Sequence, residues 1–196
     1  MKIFKKILMA LLLVTSILAV SLVVFINVGC EKIVVNGSSM TPTLCEGQLG
    51  IYVKSNSLMG NLNRGDIIIF ERQIAETKKD KYIKRIIGKP NEHISIKYDG
   101  SIYINDKEIS QRFLEENQFD YTYQTINLKN MDLVLGEDEY FVLGDNRQVS
   151  YDSRYFGPIK KEAIKGKLIL TYGKWKNYSA AENKGDKKTY FPIKFY

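Results

Sequence analysis

A mainly β domain behind one N-terminal membrane-spanning helix is the fold class this sequence predicts. Three observations point to it. A run of twenty uncharged residues lies close to the N-terminus, and beyond it short apolar runs alternate with turn residues. Strand-favouring residues are also abundant, with thirteen Tyr and nine Phe among 196 positions. With 44% apolar and 26% charged residues, the composition is globular, and the length suits one anchor and one domain.

The anchor comes first. "MKIFKK" precedes "ILMALLLVTSILAVSLVVFI", residues 7–26. At ~1.5 Å per residue, that run spans a hydrocarbon core of about 30 Å. Its Ser and Thr are tolerated because a helix bonds their hydroxyls to its own carbonyls. Lys2, Lys5 and Lys6 stand before the run, while Glu31 and Lys32 after it cancel, so the N-terminus is expected in the cytoplasm. The predicted organisation is a cytoplasmic N-terminus (1–6), a transmembrane anchor (7–28), an extracytoplasmic β domain (29–175) and a C-terminal tail (176–196). A cleaved secretory signal has a shorter apolar run, of about 7 to 15 residues, and a small-x-small site, which does not follow here. A lipoprotein signal is the sharper rival, since "NVGC" places Gly29 before Cys30. Asn27, however, stands where such signals usually carry an aliphatic residue.

The strands follow in order. "KIVV" (32–35) leads into a polar stretch, and "QLGIYVKS" (48–55) alternates apolar and polar residues. "NRGDIIIFER" (63–72) is a turn followed by a continuous apolar run, the pattern of a strand buried on both faces. "KYIKRIIGKP" (81–90) is stopped by Gly88 and Pro90. "HISIKYDGSIYINDKEI" (93–109) alternates on either side of Asp99-Gly100, a strong hairpin signal. "EYFVLGDN" (139–146) and "KGKLILTYGKW" (165–175) are two more strands. Between them, residues 110–135 are polar and aromatic without a period and read as an irregular insertion. In the tail, "TYFPIKFY" suits either ordinary packing or an interfacial contact.

Charge and cysteines exclude several functions. Lys2, Lys5 and Lys6 carry three of the seven net positive charges, and the rest are dispersed without a dense basic block. A nucleic-acid partner is therefore not expected, whereas an anionic lipid surface suits the balance. Two cysteines, Cys30 and Cys45, and the single His93 offer no metal-ligand spacing. Both cysteines read as free thiols.

Three stretches carry possible chemistry. The first is "VVNGSSMTPTLCEG" (34–47), where a surface turn and a nucleophilic serine both fit Ser38 and Ser39. A nucleophilic serine needs a base. His93 sits at the start of the hairpin and reads as a solvated strand-end residue. A lysine serves only if desolvation keeps it neutral, and bringing its pKa from ~10.4 to near 8 takes about 3 kcal/mol. Lys84, in the apolar "YIKRIIG", is the candidate; along a strand it shares a face with Tyr82 and Ile86. An edge-strand lysine that blocks aggregation is the alternative. The S-x-x-K arrangement is absent. The third stretch, "GDNRQVSYDSRYFG" (144–157), packs Asp145, Arg147, Asp152 and Arg154 around Ser150 and Ser153. Either a charge-compensated turn or a site component would explain it.

Together these stretches resemble the bacterial type I signal peptidases. A basic N-terminus, an anchor, "GSSMTPTL", "RGDIIIF", "YIKRIIGKP" and "GDNRQVSYDSRYFG" stand in the family's order as far as about Trp175. The resemblance implies a signal-peptidase-like antiparallel β-sheet domain. It also implies a Ser-Lys dyad, with Ser39 as nucleophile, Lys84 as general base and Ser150 as the hydroxyl that orients the lysine. Arg85, Asp145, Asp152 and Arg154 match charged residues that brace the site. The Ser39 backbone N–H matches an oxyanion donor. Some members add a serine hydroxyl two residues earlier, where this chain has Gly37. Gln48 and the pair Asn91-Glu92 also depart from the family pattern, in loops. The implied substrates are the signal peptides of exported preproteins, cut after a small residue with another small residue two before it. Val35, Met40, Leu44, Tyr82 and Ile83 are the positional candidates for the pockets. A membrane-bound monomer without metal or cofactor is expected. Two alternatives remain at this level. The self-cleaving repressor proteases use Ser-Lys but need a DNA-binding domain, for which residues 1–30 leave no room. The other is a non-catalytic extracytoplasmic lipoprotein or binding module.

Overall fold

The apolar runs of the outer region form two antiparallel sheets that share a core. The structure, a computed structural model, describes residues 2–54, 59–110, 131–174 and 190–195. Helix α1 (Lys2–Gly29) opens the chain. Its stretch Ile3–Val23 is long and apolar enough to cross a membrane, and its large apolar side chains are exposed. The Thr15 and Ser16 hydroxyls donate to the carbonyls of Leu12 and Leu13, so neither is left unbonded in an apolar setting.

Strand β1 (Cys30–Val34) follows the helix without a break and pairs with β2 (Leu49–Lys54). The larger sheet continues through β11 (Ile164–Lys174), β3 (Ile67–Ala75), β4 (Lys78–Gly88), β9 (Glu139–Leu143) and β10 (Ile159–Lys160). The smaller sheet has the order β7 (Lys107–Glu108), β6 (Ile102–Ile104), β5 (His93–Ile96), β8 (Met131–Val134). Helical structure after α1 is limited to α2 (Ser153–Phe156) and one 3-10 turn (Lys161–Ala163) among the described residues.

The sheet's edges define the working end of the molecule. Among the described residues β1 pairs only with β2, and β4 pairs with β9 only over Arg85–Gly88. The stretch from Lys78 to Lys84 therefore has one edge without a strand partner among the described residues. The two edges approach each other closely enough for Lys81 Nζ to lie 3.5 Å from a Glu31 carboxylate oxygen. A cleft opens between them.

Three apolar clusters hold this arrangement. One joins Ile68, Phe70, Ile86, Val142 and Ile164, with Tyr82 and Phe156 against it. A second locks the smaller sheet onto the larger through Ile94, Ile96, Ile102, Ile104, Ile87, Phe141 and Leu143. A third, of Val35, Met40, Leu44, Tyr52, Ile67, Ile69 and Leu168, lies beneath the β1–β2 connection. Ile67 to Phe70 are all buried, as the unbroken apolar run predicts.

One sequence expectation needs correction and another is made more specific. The insertion at 110–135 is not irregular throughout: Met131–Val134 forms β8 and pairs with β5, although residues 111–130 lie outside the described residues. Four residues containing Asp132 are too few to display an alternation, yet Met131 and Leu133 pack on the second cluster. Within the tail, Tyr190–Phe195 is strand β12, antiparallel to β11, while 175–189 lie outside the described residues. Pro192 lacks a ladder donor, which concealed this strand from sequence reading. The Asp99-Gly100 hairpin forms as expected, and a second turn at Asn105-Asp106, both at positive φ, adds β7.

Candidate active site

The segment joining β1 to β2 is held mainly by its own backbone. The Val35 N–H donates to the Gln48 carbonyl at 2.8 Å, and the Gly47 N–H donates back to Val35 at 2.8 Å. The Gln48 side-chain oxygen accepts from the Cys45 N–H at 2.9 Å, so the residue that departs from the family pattern closes the loop itself. Buried Val35, Met40 and Leu44 pin the loop to the third cluster. Gly37 takes φ +80°, which turns the chain so that Ser38 and Ser39 face the cleft.

Lys84 reaches the same point from β4. Its Nζ lies 2.6 Å from Ser39 Oγ, within hydrogen-bond distance, and the residue is 3% exposed. Strand register places Lys84 opposite Ile68, between Tyr82 and Ile86 on one face. Burial in these surroundings lowers its pKa to about 8, Asp152 and Asp145 oppose the shift, and Arg154 adds to it. A lysine of this kind is partly neutral near physiological pH and can accept a proton.

The loop after β9 closes the site from a third side. Asp145, fully buried, takes Arg85 in a two-pronged pair at 2.9 and 2.5 Å, and Arg85 also donates to the Gly65 carbonyl at 2.7 Å. Asp152, also fully buried, caps α2 and accepts from Arg154 Nε at 2.8 Å and from the Gly144 N–H at 3.0 Å. Arg154 reaches on to the Arg147 and Ser150 carbonyls. These pairs hold the charges that bias Lys84 in fixed positions. Gly144 is required for the loop's approach, because a Cβ there would collide with Ser150 Oγ and the Ser39 carbonyl.

The cleft between the two edges measures about 800 Å³. Gly37, Ser39 and Lys84 lie on it, with Val35, Met40, Tyr82 and Ile83 of the pocket candidates. Leu44 does not line it. The Leu44 N–H bonds the Met40 carbonyl at 2.9 Å, a single helical turn that swings the side chain into the core, where it is fully buried. A second expectation also fails: Ser150 Oγ makes no bond to Lys84 and has no partner among the described residues. Lys84 Nζ is turned to Ser39, while Ser150 is held through its backbone by Asn146 and Arg154.

Some contributors are given no individual role by the sequence. Ser153 Oγ accepts from the Val142 N–H at 3.0 Å and ties α2 to β9. Buried Arg147 donates to the Gly144 carbonyl, and burial lowers its pKa to about 10. Asn146 donates to the carbonyls of both Ser38 and Ser39. His93 stays away from the cleft on the smaller sheet, where a hydrogen bond to Asp132 raises its pKa. Cys30 and Cys45 are free thiols, and burial pushes the Cys45 pKa up to about 11.

Residues 3–175 match the family model described as signal peptidase, peptidase S26. The chain belongs to that family. It is thereby a serine endopeptidase. It is 38% identical to signal peptidase I T of Bacillus subtilis over 139 residues, 69% of this chain and 70% of the relative. It is 34% identical to signal peptidase IB of Staphylococcus aureus over 168 residues, 79% and 85% of the two chains. Among solved structures, a signal peptidase I of Enterococcus faecalis matches with a TM-score of 0.46 and 31% identity, over 56% of this chain and 98% of the other.

Proposed function

We propose that the chain is a membrane-anchored signal peptidase I that cleaves signal peptides from exported preproteins through a Ser39–Lys84 dyad. The observation that carries this reading is the 2.6 Å contact between Ser39 Oγ and a buried Lys84 whose pKa is lowered to about 8. Neutral Lys84 takes the Ser39 proton as Oγ attacks the scissile carbonyl carbon. The oxyanion that forms faces the Ser39 N–H. Collapse of the tetrahedral intermediate breaks the peptide bond, and protonated Lys84 gives its proton to the leaving amine. Water then enters, Lys84 removes its proton as the hydroxyl attacks the acyl carbon, and collapse breaks the ester bond while Lys84 returns the proton to Ser39 Oγ.

The edges of β1 and β4, which have no strand partner among the described residues, suit an extended substrate that would bond to their backbone groups. Val35, Met40, Tyr82 and Ile83 offer shallow apolar contact for small side chains, and pocket shape rather than polar recognition would exclude large ones. Because α1 runs directly into edge strand β1, the cleft is tethered close to the lipid, where cleavage sites emerge. Lys2, Lys5 and Lys6 favour a cytoplasmic N-terminus and an extracytoplasmic domain, acting as a monomer.

The test is preprotein cleavage in detergent by wild type, Ser39→Ala and Lys84→Ala, with thermal melting to establish that each is folded. Both variants are expected to lose cleavage by about 10³-fold or more. A folded variant that still cleaves ends the dyad reading. Intact mass distinguishes the anchor from a lipoprotein, which would begin at Cys30.

A further inference from the structure

We infer that Asn146 is a positioning residue for the oxyanion site: it grips the backbone of both serines and turns the Ser39 N–H into the cleft. This rests on Ser39 being the nucleophile. The Asn146 side-chain amide donates to the Ser38 carbonyl at 3.1 Å, and the Asn146 backbone N–H donates to the Ser39 carbonyl at 3.0 Å. One half-buried residue thus holds two successive carbonyls of the nucleophile stretch.

Peptide geometry gives this grip a consequence. The Ser38–Ser39 bond is not among the cis bonds, so its carbonyl and the Ser39 N–H point in opposite directions across one rigid plane. With the Ser38 carbonyl drawn towards Asn146, and also accepting from the Thr41 N–H at 3.2 Å, the Ser39 N–H is aimed the other way. Gly37, Ser38 and Ser39 line the cleft, whereas Asn146 is not among the residues that line it. The Ser39 N–H donates to no backbone carbonyl among the described residues. A donor held in place and not otherwise engaged is what a developing oxyanion requires.

Gly37 makes this orientation matter more. No side-chain hydroxyl stands two residues before the nucleophile, so the backbone donor carries a larger share of the charge. Asn146 itself sits on Asp145, whose carboxylate is locked by Arg85, so the grip is transmitted from the core. It acts across 108 positions of sequence.

The test uses the full chain in detergent, with Asn146→Ala and the isosteric Asn146→Asp. Aspartate preserves volume but replaces the amide donor with an acceptor facing the Ser38 carbonyl. Both variants are expected to lose ~10- to 100-fold in kcat with KM within about threefold, less than the ~10²–10³-fold lost when an oxyanion donor is removed outright, because the donor here is only misaimed. The acidic limb of the pH profile is expected to stay where Lys84 sets it. A peptide aldehyde, whose adduct with Ser39 presents an oxygen to the site, should bind less tightly by the same factor as kcat. The matching peptide alcohol should bind unchanged. Ser39→Ala in the same assay separates the two claims. If it retains cleavage, the nucleophile assignment falls. If it is inactive while Asn146→Asp is folded and within twofold of wild type, or if aldehyde and alcohol weaken together, the positioning role of Asn146 is overturned.

Discussion

Changing the pH tests Lys84 directly. In the proposed dyad the lysine must be neutral to accept the Ser39 proton, so the rate is expected to follow its neutral fraction. With a pKa of about 8, about one Lys84 in ten is neutral at pH 7, against roughly one in three thousand for an unperturbed lysine. The difference corresponds to about 3 kcal/mol, and desolvation by burial is its largest cause. Plotted against pH, kcat/KM for preprotein cleavage in detergent should rise about tenfold per pH unit below 7 and level off above a midpoint near 8. The same shift acts on stability. Between about pH 8 and ~10.4 the unfolded chain retains a proton that folded Lys84 has released, so stability rises with pH across that window. Below it both states are protonated, and the folded protein bears the full burial penalty. Replacing Lys84 with Met should therefore raise the melting temperature at pH 7, by up to about 3 kcal/mol in stability, with the advantage fading by about pH 10.5. A flat rate profile from pH 6 to 9, a midpoint above 10, or a Met variant less stable at pH 7 would each refute the reasoning.

Three further outcomes follow from contacts in the site. Gly144→Ala drives a Cβ into Ser150 and the Ser39 carbonyl, so it should cut kcat sharply and lower the melting temperature; a fully active variant would mean that the loop can retreat. Asp145→Ala leaves the Arg85 guanidinium buried beside an empty position and should cost about 3–5 kcal/mol by melting. Replacing both partners by apolar residues should restore much of that loss. Leu44→Ala should destabilise by about 2–5 kcal/mol while leaving KM for small-residue substrates unchanged, as measured on the folded fraction; a specificity change without destabilisation would return Leu44 to the cleft.

The features that sequence reading reached are those in which a residue conflicts with its neighbours. Lys84 stands out because a charge sits inside an apolar strand, and a continuous run such as Ile67–Phe70 has few places to go except the core. The features it missed obey their local rules. An asparagine just beyond a strand is ordinary turn chemistry, so nothing near Asn146 announces two bonds to a loop 108 positions away. Leu44 follows Met40 at a spacing that fits a pocket wall as well as a turn, and only the Leu44–Met40 backbone bond decides which way it points. Strand β8 is four residues long, and pairing with β5 supplies the evidence its own sequence lacks. Chemistry that depends on an anomalous environment is thus visible from one segment, whereas orientation is a property of two segments. Lys84, as a candidate base, belongs to the first kind, whereas the choice of Ser39 over Ser38 comes from the family resemblance. The direction of the Ser39 N–H, on which the stabilisation of the oxyanion turns, belongs to the second.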